Sequence, residues 1–483
     1  MRVLLLNPPF HPRFSRSQRS PARTKSGNLY YPIWLGYATA AVEQAGHTVR
    51  LIDAPAAGLS LVDVIALAGL FAPDLIAVDT STPSIMNDLE VVDGLRAGLT
   101  RPRPFIVLTG THASALPEET LRRAASVDAI ARREFDHTLR DLASALESGL
   151  DLQGVTGLTV RQDGEIVATP DRQELKPADL DALPFVSAVW SRHANVASYF
   201  YSITPHPQVT FVTGRGCPYR CDFCVWPQVL TGHGYRRRSI DNVVAEFQWV
   251  AGRWPGIHIF LEDDTLTVDR KRCRQLAAAL IAGGNRIRFT ANSRADVDFE
   301  TLEALKAAGL RMVCVGFESS EDAILEGIEK RLRVEQSRQF VADAKRAGVL
   351  VHGCFMVGNP GETRATLART LDYAQEIKPD SAQFFPLMVY PGTRAFDRAQ
   401  ASGALRSEDW SSWLRPDGTH NTVISRPGLP SAELVAWCNH ARRRFYSDPA
   451  FIRRKLRQSA GDRSEMYRNL RAARELAGHI FAR

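Results

Sequence analysis

At 483 residues and 45% hydrophobic content, the chain is long enough for two or three packed domains and apolar enough to fill them. Its formal charge of +7 does not imply nucleic acid, because the basic residues gather late in the chain and do not alternate with aromatics along a groove-like segment. Seven cysteines, three of them within eight positions, exclude a disulfide framework and point to a reducing cytoplasm, and no run approaches the roughly 18 apolar residues of a membrane span.

Met1 to Asn7 reads as a strand stopped by Pro8-Pro9, with no secretory leader. Residues 1–145 alternate short apolar runs (Val3–Leu6, Thr48–Ile52, Leu75–Val78, Phe105–Leu108) with helical patterns such as Leu35–Ala45. That alternation predicts an α/β fold with a doubly wound, Rossmann-like parallel sheet. Ligands of such sheets sit at the carboxyl ends of the strands. The residues there are Asn7-Pro8-Pro9, Asp53, Thr80-Ser81-Thr82 and Gly110-Thr111-His112, small and polar groups that suit a shallow site for a large planar ligand. No GxGxxG fingerprint opens the first helix, so a dinucleotide is not expected. Residues 146–208 read as a linker, with a hairpin signal from Gly157 to Val167 turning at Asp163-Gly164 and a Pro- and Asp-containing stretch from Lys176 to Pro184.

From 209 to 391, six strands (Val209–Val212, His258–Leu261, Arg288–Thr290, Met312–Val315, Val351–Val357, Ala382–Leu387) alternate with helices. Six βα units predict a partial (β/α)6 barrel, open on one side, with its functional groups at the carboxyl ends of the strands. Residues 392–483 form a helical C-terminal region in which Arg442-Arg443-Arg444, Arg453-Arg454-Lys455 and Arg457 lie among Phe445, Tyr446, Phe451, Ile452 and Leu456. Two readings stand: a solvated cap whose arginine stems cover the barrel, or a surface that meets anionic lipid or an acidic substrate.

The strongest chemical signal is Thr213-Gly-Arg-Gly-Cys217-Pro-Tyr-Arg-Cys221-Asp-Phe223-Cys224, on the loop after the first barrel strand. Thiolates at this spacing can face one point, and three soft ligands hold three irons of a cubane while leaving the fourth open. A structural zinc site would require a fourth ligand, for which Cys273, Cys314, Cys354 and His233 are available.

This loop resembles that of the radical S-adenosylmethionine (SAM) superfamily, in which a [4Fe-4S] cluster binds the amino and carboxylate groups of SAM and cleaves it to a 5′-deoxyadenosyl radical. The resemblance implies a set of SAM contacts along the barrel. Asp263, in Glu262-Asp263-Asp264-Thr265, is the candidate acceptor for the ammonium. Asn292 and Arg294, with Ser293, fall where the methionine carboxylate or ribose is met, and Glu318 falls where the ribose is held. Gly358 and Glu362 belong to a segment resembling the adenine-contact strand, and Phe223 is expected to lie against adenine. Taken alone, Asp264 or Glu362 reads as a helix cap; it is their order after successive strands that points to a shared site.

A doubly wound domain ahead of this barrel resembles the cobalamin-binding branch of the superfamily, from Val3 to about Thr393. That resemblance implies a corrin between the strand-end loops and the barrel mouth, with Pro8, Ser81, Thr82, Gly110, Thr111 and His112 as contacts. The sequence departs from some B12 enzymes in lacking Asp-x-His-x-x-Gly, having Asp53-Ala-Pro-Ala-Ala-Gly58 instead. Cobalt bound without a protein imidazole and a domain that has lost its corrin both fit.

The branch implies C-methylation of an unactivated carbon in the biosynthesis of a secondary metabolite or lipid, or a radical ring contraction or cyclisation without methyl transfer. Cys224-Val-Trp226-Pro227-Gln228 and Gly232-His-Gly234-Tyr-Arg236 resemble the members that contract a sugar to a cyclitol ether on hopanoids. A small-molecule or lipid-like substrate and an electron donor such as flavodoxin or ferredoxin are implied; peripheral membrane contact is the second of the two readings of the basic C-terminal region. A non-catalytic sensor would not need the ordered carboxylates. A tRNA- or protein-thiolating member would carry a second three-cysteine cluster in front, and residues 1–216 contain no cysteine. Tyr199, Phe200, Tyr201 and Trp226 suit a sugar or apolar ring near the mouth, or core packing. Cys314 and Cys354 read as small apolar core residues within strands, with Cys354 the one to test as a hydrogen-atom donor. His352 and Tyr390 fall near strand ends and are not assigned.

Overall fold

The computed structural model describes residues 1–100, 103–162 and 164–480. Its first sheet is built from β1 (Arg2–Asn7), β2 (Thr48–Asp53), β3 (Leu75–Thr80), β4 (Phe105–Gly110), β5 (Ala129–Ala131), β6 (Leu158–Gln162) and β7 (Glu165–Ala168), in the order β2-β1-β3-β4-β5-β6-β7. β1 to β5 are parallel. Val3–Leu6, Leu75–Val78 and Ile106–Leu108 are buried without alternation, as strands covered by helices on both faces require. Two pairs of helices, Ile33–Gln44 with Asp136–Ser148 and Leu61–Phe71 with Ile85–Gly98, supply that cover.

The hairpin expected within a linker instead extends this sheet, with β6 antiparallel to β5 and to β7. The reason is physical: a three-residue β5 leaves an open edge, and Leu158 and Val160 bury against it. Arg132 then clamps the hairpin, donating to the carbonyls of Leu158 and Thr169. Asp163, the first residue of the expected turn, lies outside the described residues.

The second sheet contains β8 (Gln208–Phe211), β11 (His258–Leu261), β12 (Phe289–Ser293), β13 (Leu310–Gly316), β14 (Leu350–Val357) and β15 (Ser381–Pro386), in the order β15-β14-β13-β12-β11-β8. All five ladders are parallel, giving the open six-stranded barrel. A separate two-strand ladder pairs β9 (Gly214–Arg215) with β10 (Arg236–Arg237), so the cysteine loop is pinned at its base. The open edge at β15 is covered by the helix Ser431–Tyr446. Tyr446 Oη accepts from the Ala382 amide (3.0 Å) and donates to the Ala382 carbonyl (2.7 Å), while Arg442 Nη2 donates to the Phe384 carbonyl (3.1 Å). These bonds satisfy backbone groups that a bare edge strand would leave unpaired.

The two halves are joined by buried polar contacts. Arg215, beside the cysteine loop, forms a two-pronged pair with Asp136 of the first domain (2.8 and 3.1 Å). Tyr31 Oη donates to the Gln208 carbonyl and Tyr37 Oη accepts from the Val212 amide. Among the described residues, no helix is long and apolar enough to cross a membrane.

Candidate active site

The loop from Gly216 to Tyr235 carries Cys217, Cys221 and Cys224. It reverses at Gly216, where φ is +84° and an added Cβ would stand 2.1 Å from the Gly234 carbonyl oxygen. Gly216→Ala is therefore expected to displace the loop, and iron per chain after reconstitution should fall well below that of the parent; full iron loading would contradict this account. Gln228 holds the loop from inside, its Nε2 donating to the carbonyls of Cys221 (3.3 Å), Asp222 (3.0 Å) and Cys224 (2.9 Å).

Burial, with the nearby Asp264 carboxylate, pushes the Cys217 thiol up to about 11, and burial pushes Cys224 higher still. Such thiols ionise when a cation binds them. The donor set fits a cubane better than a single zinc. A structural zinc takes four protein ligands, whereas this loop supplies three thiols, the number that holds three irons of a cubane and leaves the fourth open.

Behind the loop, Glu262, Asp263 and Asp264 follow β11. Asp263 spends both oxygens on Thr213, accepting from its amide (2.7 Å) and hydroxyl (2.6 Å), and so ties β11 to the end of β8. Glu262 Oε2 and Asp264 Oδ1, both buried, accept no hydrogen bond, and Asp264 Oδ1 faces Arg19 Nη2 at 4.0 Å. Asp264 Oδ2 accepts from the Gly216 amide and the Thr231 hydroxyl, both at 3.0 Å, which makes it a brace of the cysteine loop and not a helix cap. Burial pushes Glu262 up to about 7, so it titrates near neutrality.

Arg19, which sequence reasoning missed, reaches into this group. It donates to Glu262 Oε1 (3.1 Å) and the Asp263 carbonyl (2.9 Å), with its guanidinium 4.2 Å from the Trp226 ring. It lies in the long irregular segment between β1 and the first helix, where no periodicity marks it.

The other expected SAM contacts form a connected group. Asn292 Nδ2 donates to the Asp263 carbonyl (3.0 Å). The Arg294 guanidinium lies 3.6 Å from the ring of Tyr219, inside the cysteine loop, and donates to the Lys330 carbonyl (2.8 Å). Glu318 Oε1 accepts from Lys330 Nζ (2.8 Å) while its Oε2 is buried without a partner. Lys330, also missed, stands 6.0 Å from the Phe223 ring. Gly358 and Glu362 follow β14. Glu362 accepts from the amides of Gly358 (2.5 Å) and Asn359 (3.1 Å) and from the Asn359 side chain (2.9 Å), so it shapes its own turn. A Cβ on Gly358 would meet Ile424 and Leu434 of the C-terminal region, at 2.9 and 3.0 Å.

At the carboxyl end of the first sheet, the Pro8 carbonyl accepts from Arg16 (2.7 Å), itself paired with Asp88. Ser81 and Ser84 hydroxyls lie 2.8 Å apart, and Thr82 Oγ1 lies 3.2 Å from His112 Nδ1. Gly110 closes β4 in register with Thr80, and Thr111 opens the short helix that carries His112. Burial lowers His112 to about 3, so it is neutral at physiological pH. Its ring packs edge-on against Trp410 of the C-terminal region (5.6 Å). The indole N–H groups of Trp34, Trp226 and Trp410 are buried without an acceptor, and Trp34 packs edge-on against Trp226 across the two halves (5.0 Å). Orphaned donors at a domain junction fit the amide-rich rim of a corrin. The Asp53–Gly58 segment offers no imidazole: Asp53 caps Ala54–Ala57 and accepts from Tyr199 Oη (2.8 Å).

A cavity of about 820 Å³ opens on the side of the barrel between β13, β14, β15 and the C-terminal helices. Cys314 and His352 line it, and Cys314, half-buried, also packs against the small core cluster of Tyr201, Ile203, Phe260 and Met312. Cys314 and Cys354 sulfurs are 3.8 Å apart. Tyr199, Phe200, Tyr201 and Trp226 are buried, and Tyr201 packs against Phe260.

Three thiols and an array of buried carboxylates at one barrel mouth, opposite a doubly wound domain, are the apparatus of a cobalamin-dependent radical SAM enzyme. The sequence profile of the radical SAM superfamily matches residues 211–374, and that of the B12 binding domain matches residues 19–143. An uncharacterized methyltransferase of Pyrococcus horikoshii is 30% identical over 453 residues, 94% of each chain. The anaerobic magnesium-protoporphyrin IX monomethyl ester cyclase of Rubrivivax gelatinosus is 24% identical over 460 residues, covering 94% of this chain and 78% of its own. The solved structure of the radical S-adenosylmethionine methyltransferase TsrM from Kitasatospora setae, with cobalamin and a [4Fe-4S] cluster bound, superposes with a TM-score of 0.70 at 19% identity, covering 93% of this chain and 89% of that one, and so shares the fold. The chain belongs to the radical SAM superfamily, in the branch that carries a B12 binding domain. Its cofactors are a [4Fe-4S] cluster, SAM and cobalamin, and it acts on a small molecule with the help of a reductant.

Proposed function

We propose that the protein methylates an unactivated carbon of a small biosynthetic intermediate. The observation that carries this reading is the near full-length match to a methyltransferase, across both the B12 domain and the barrel. When bound, the cluster with SAM supplies a 5′-deoxyadenosyl radical and cobalamin supplies the methyl carrier.

The residues of the chain bind, orient and exclude water. Cys217, Cys221 and Cys224 hold the cluster. Glu262 offers its free oxygen to the SAM ammonium beside Asp263, with Asp264 and Arg19 as positioning residues. Glu318 offers its free oxygen to the ribose, and Asn292, Arg294 and Phe223 complete the wall. Pro8, Ser81, Thr82, Gly110, Thr111 and His112 form the floor for the corrin. A cytoplasmic protein fed by a flavodoxin or ferredoxin fits this chemistry. A ring-forming reaction is the second reading, favoured by the cyclase relative.

The two separate without knowledge of the substrate. Reduced, cofactor-loaded enzyme given SAM is expected to release S-adenosylhomocysteine, the product of moving a methyl group from SAM, in addition to 5′-deoxyadenosine. Release of 5′-deoxyadenosine alone would favour ring formation.

A further inference from the structure

The cavity on the open side of the barrel has a composition that neither the cluster loop nor the corrin floor accounts for. At about 820 Å³ it is in the range of sites for small organic ligands. Arg23, Lys25, Arg442, Lys455 and Arg468 line it, and among the described residues no Asp or Glu does. Arg468 pairs with Glu465 (2.9 Å), which also holds Arg311. Lys25, Arg442 and Lys455 bond only neutral oxygens: Lys25 Nζ and Arg442 Nη1 donate to the same Asn439 Oδ1, at 2.7 and 2.9 Å, and Lys455 Nζ donates to Gln458 Oε1 at 2.7 Å. Two cations gathered on one amide oxygen repel each other in a half-buried setting. Burial and the Arg442 charge push Lys25 down to about 8, and burial pushes Lys455 down to about 7. An anion between them would remove the repulsion and supply charge-assisted acceptors.

The mouth of the same cavity is apolar. Ile452, Leu456, Met466 and Leu470 line it while remaining 45%, 67%, 44% and 64% exposed. They are spaced by four residues on each of two adjoining helices, Pro449–Ala460 and Arg463–Ile480, so each pair shares a helix face. Large apolar side chains clustered at a rim mark a binding surface. The inner wall reaches the SAM group. Cys314 is in register with Asn292 on the neighbouring strand, and His420 bonds Ser20 (2.9 Å), next to Arg19.

We propose that this cavity receives the substrate and that the substrate is an amphipathic anion, with a carboxylate or phosphate seated at Lys25 and Arg442 and an apolar body running along Ile452, Leu456, Met466 and Leu470. That the ligand is the substrate rests on the methyltransferase reading; its chemical class rests on the cavity. The outward-facing Arg453 and Arg457 stand apart from this site, and Arg442 and Lys455 of the same basic region turn into it.

The test is calorimetric titration of cofactor-loaded enzyme with dodecanoate, dodecyl phosphate and dodecanol, each below its micelle concentration. The two anions are expected to bind at least about tenfold tighter than dodecanol. K25Q/R442Q should lose about tenfold or more of anion affinity, and R457Q, on the helix but outside the cavity, should lose none. Iron and cobalamin content and the melting temperature report whether each variant is folded, and the parent's preference for anion over alcohol needs no variant. The proposal fails if dodecanol binds as tightly as the anions, or if folded K25Q/R442Q binds them undiminished. It also fails if the parent binds anionic phosphatidylglycerol vesicles but neither monomeric anion, which would assign the mouth to a membrane surface. Binding is read without turnover, so loss of methyl transfer and loss of this site are told apart.

Discussion

Replacing Cys217, Cys221 and Cys224 together by alanine is expected to take the protein from about four irons per chain to none and to abolish SAM cleavage. The thiols are the soft ligands of the loop, and burial keeps Cys217 and Cys224 protonated in the absence of a cation. Alanine fits these positions without strain, because the turn that shapes the loop lies at Gly216. The loop's other anchors, Gln228 and Asp264, are retained. Cobalamin binding should survive, since the corrin floor belongs to the other domain. The checks are iron content, iron–sulfur absorbance and 5′-deoxyadenosine after reduction. Cleavage retained by the triple variant would remove the cluster from the mechanism.

Arg215→Ala is expected to cost about 3–5 kcal/mol of stability. Arg215 and Asp136 are both almost fully buried, 1% and 4% exposed, and Glu134 lies 3.5 Å away. Truncation leaves Asp136 as an uncompensated buried charge, and also strips the guanidinium from the faces of Tyr37 (4.7 Å) and Trp34 (5.2 Å). Against a total of about 5–15 kcal/mol for a typical domain, such a loss shifts the urea midpoint far to the left. Because Arg215 stands in β9, two residues before Cys217, cluster loading should fall with it. Arg215→Met combined with Asp136→Leu should recover much of the stability, since replacing both partners removes the stranded charge. A midpoint unchanged in Arg215→Ala would show that the two domains are held by apolar packing alone.

Where one element decided a feature, it could be read along the chain. Buried parallel strands are short apolar runs whatever their neighbours, so four strands of the first sheet and six of the second were legible by position. The three-residue β5 was not, because Ala-Ile-Ala carries no periodicity, and without it the hairpin had no visible partner. The three-thiol loop was legible because its ligands are local. The choice among Glu262, Asp263 and Asp264 was not: three adjacent carboxylates differ only in what they face, and Thr213, fifty positions earlier, takes up Asp263. Arg19 and Lys330 carry no local signal for the same reason. Glu362 was legible as a candidate by its order along the barrel, but its bonds to the amides of Gly358 and Asn359, four and three positions before it, were not.

The cofactor set and the succession of domains follow from residues close together in sequence, since thiol spacing and strand periodicity act over a few positions. Which carboxylates keep a free oxygen, how Trp410 comes to pack on His112, and how Lys25 comes to share an oxygen with Arg442 across more than 400 positions were decided by the tertiary fold. Hydrogen bonds and charges are settled by distance in space, and a sequence pattern records distance only along the chain.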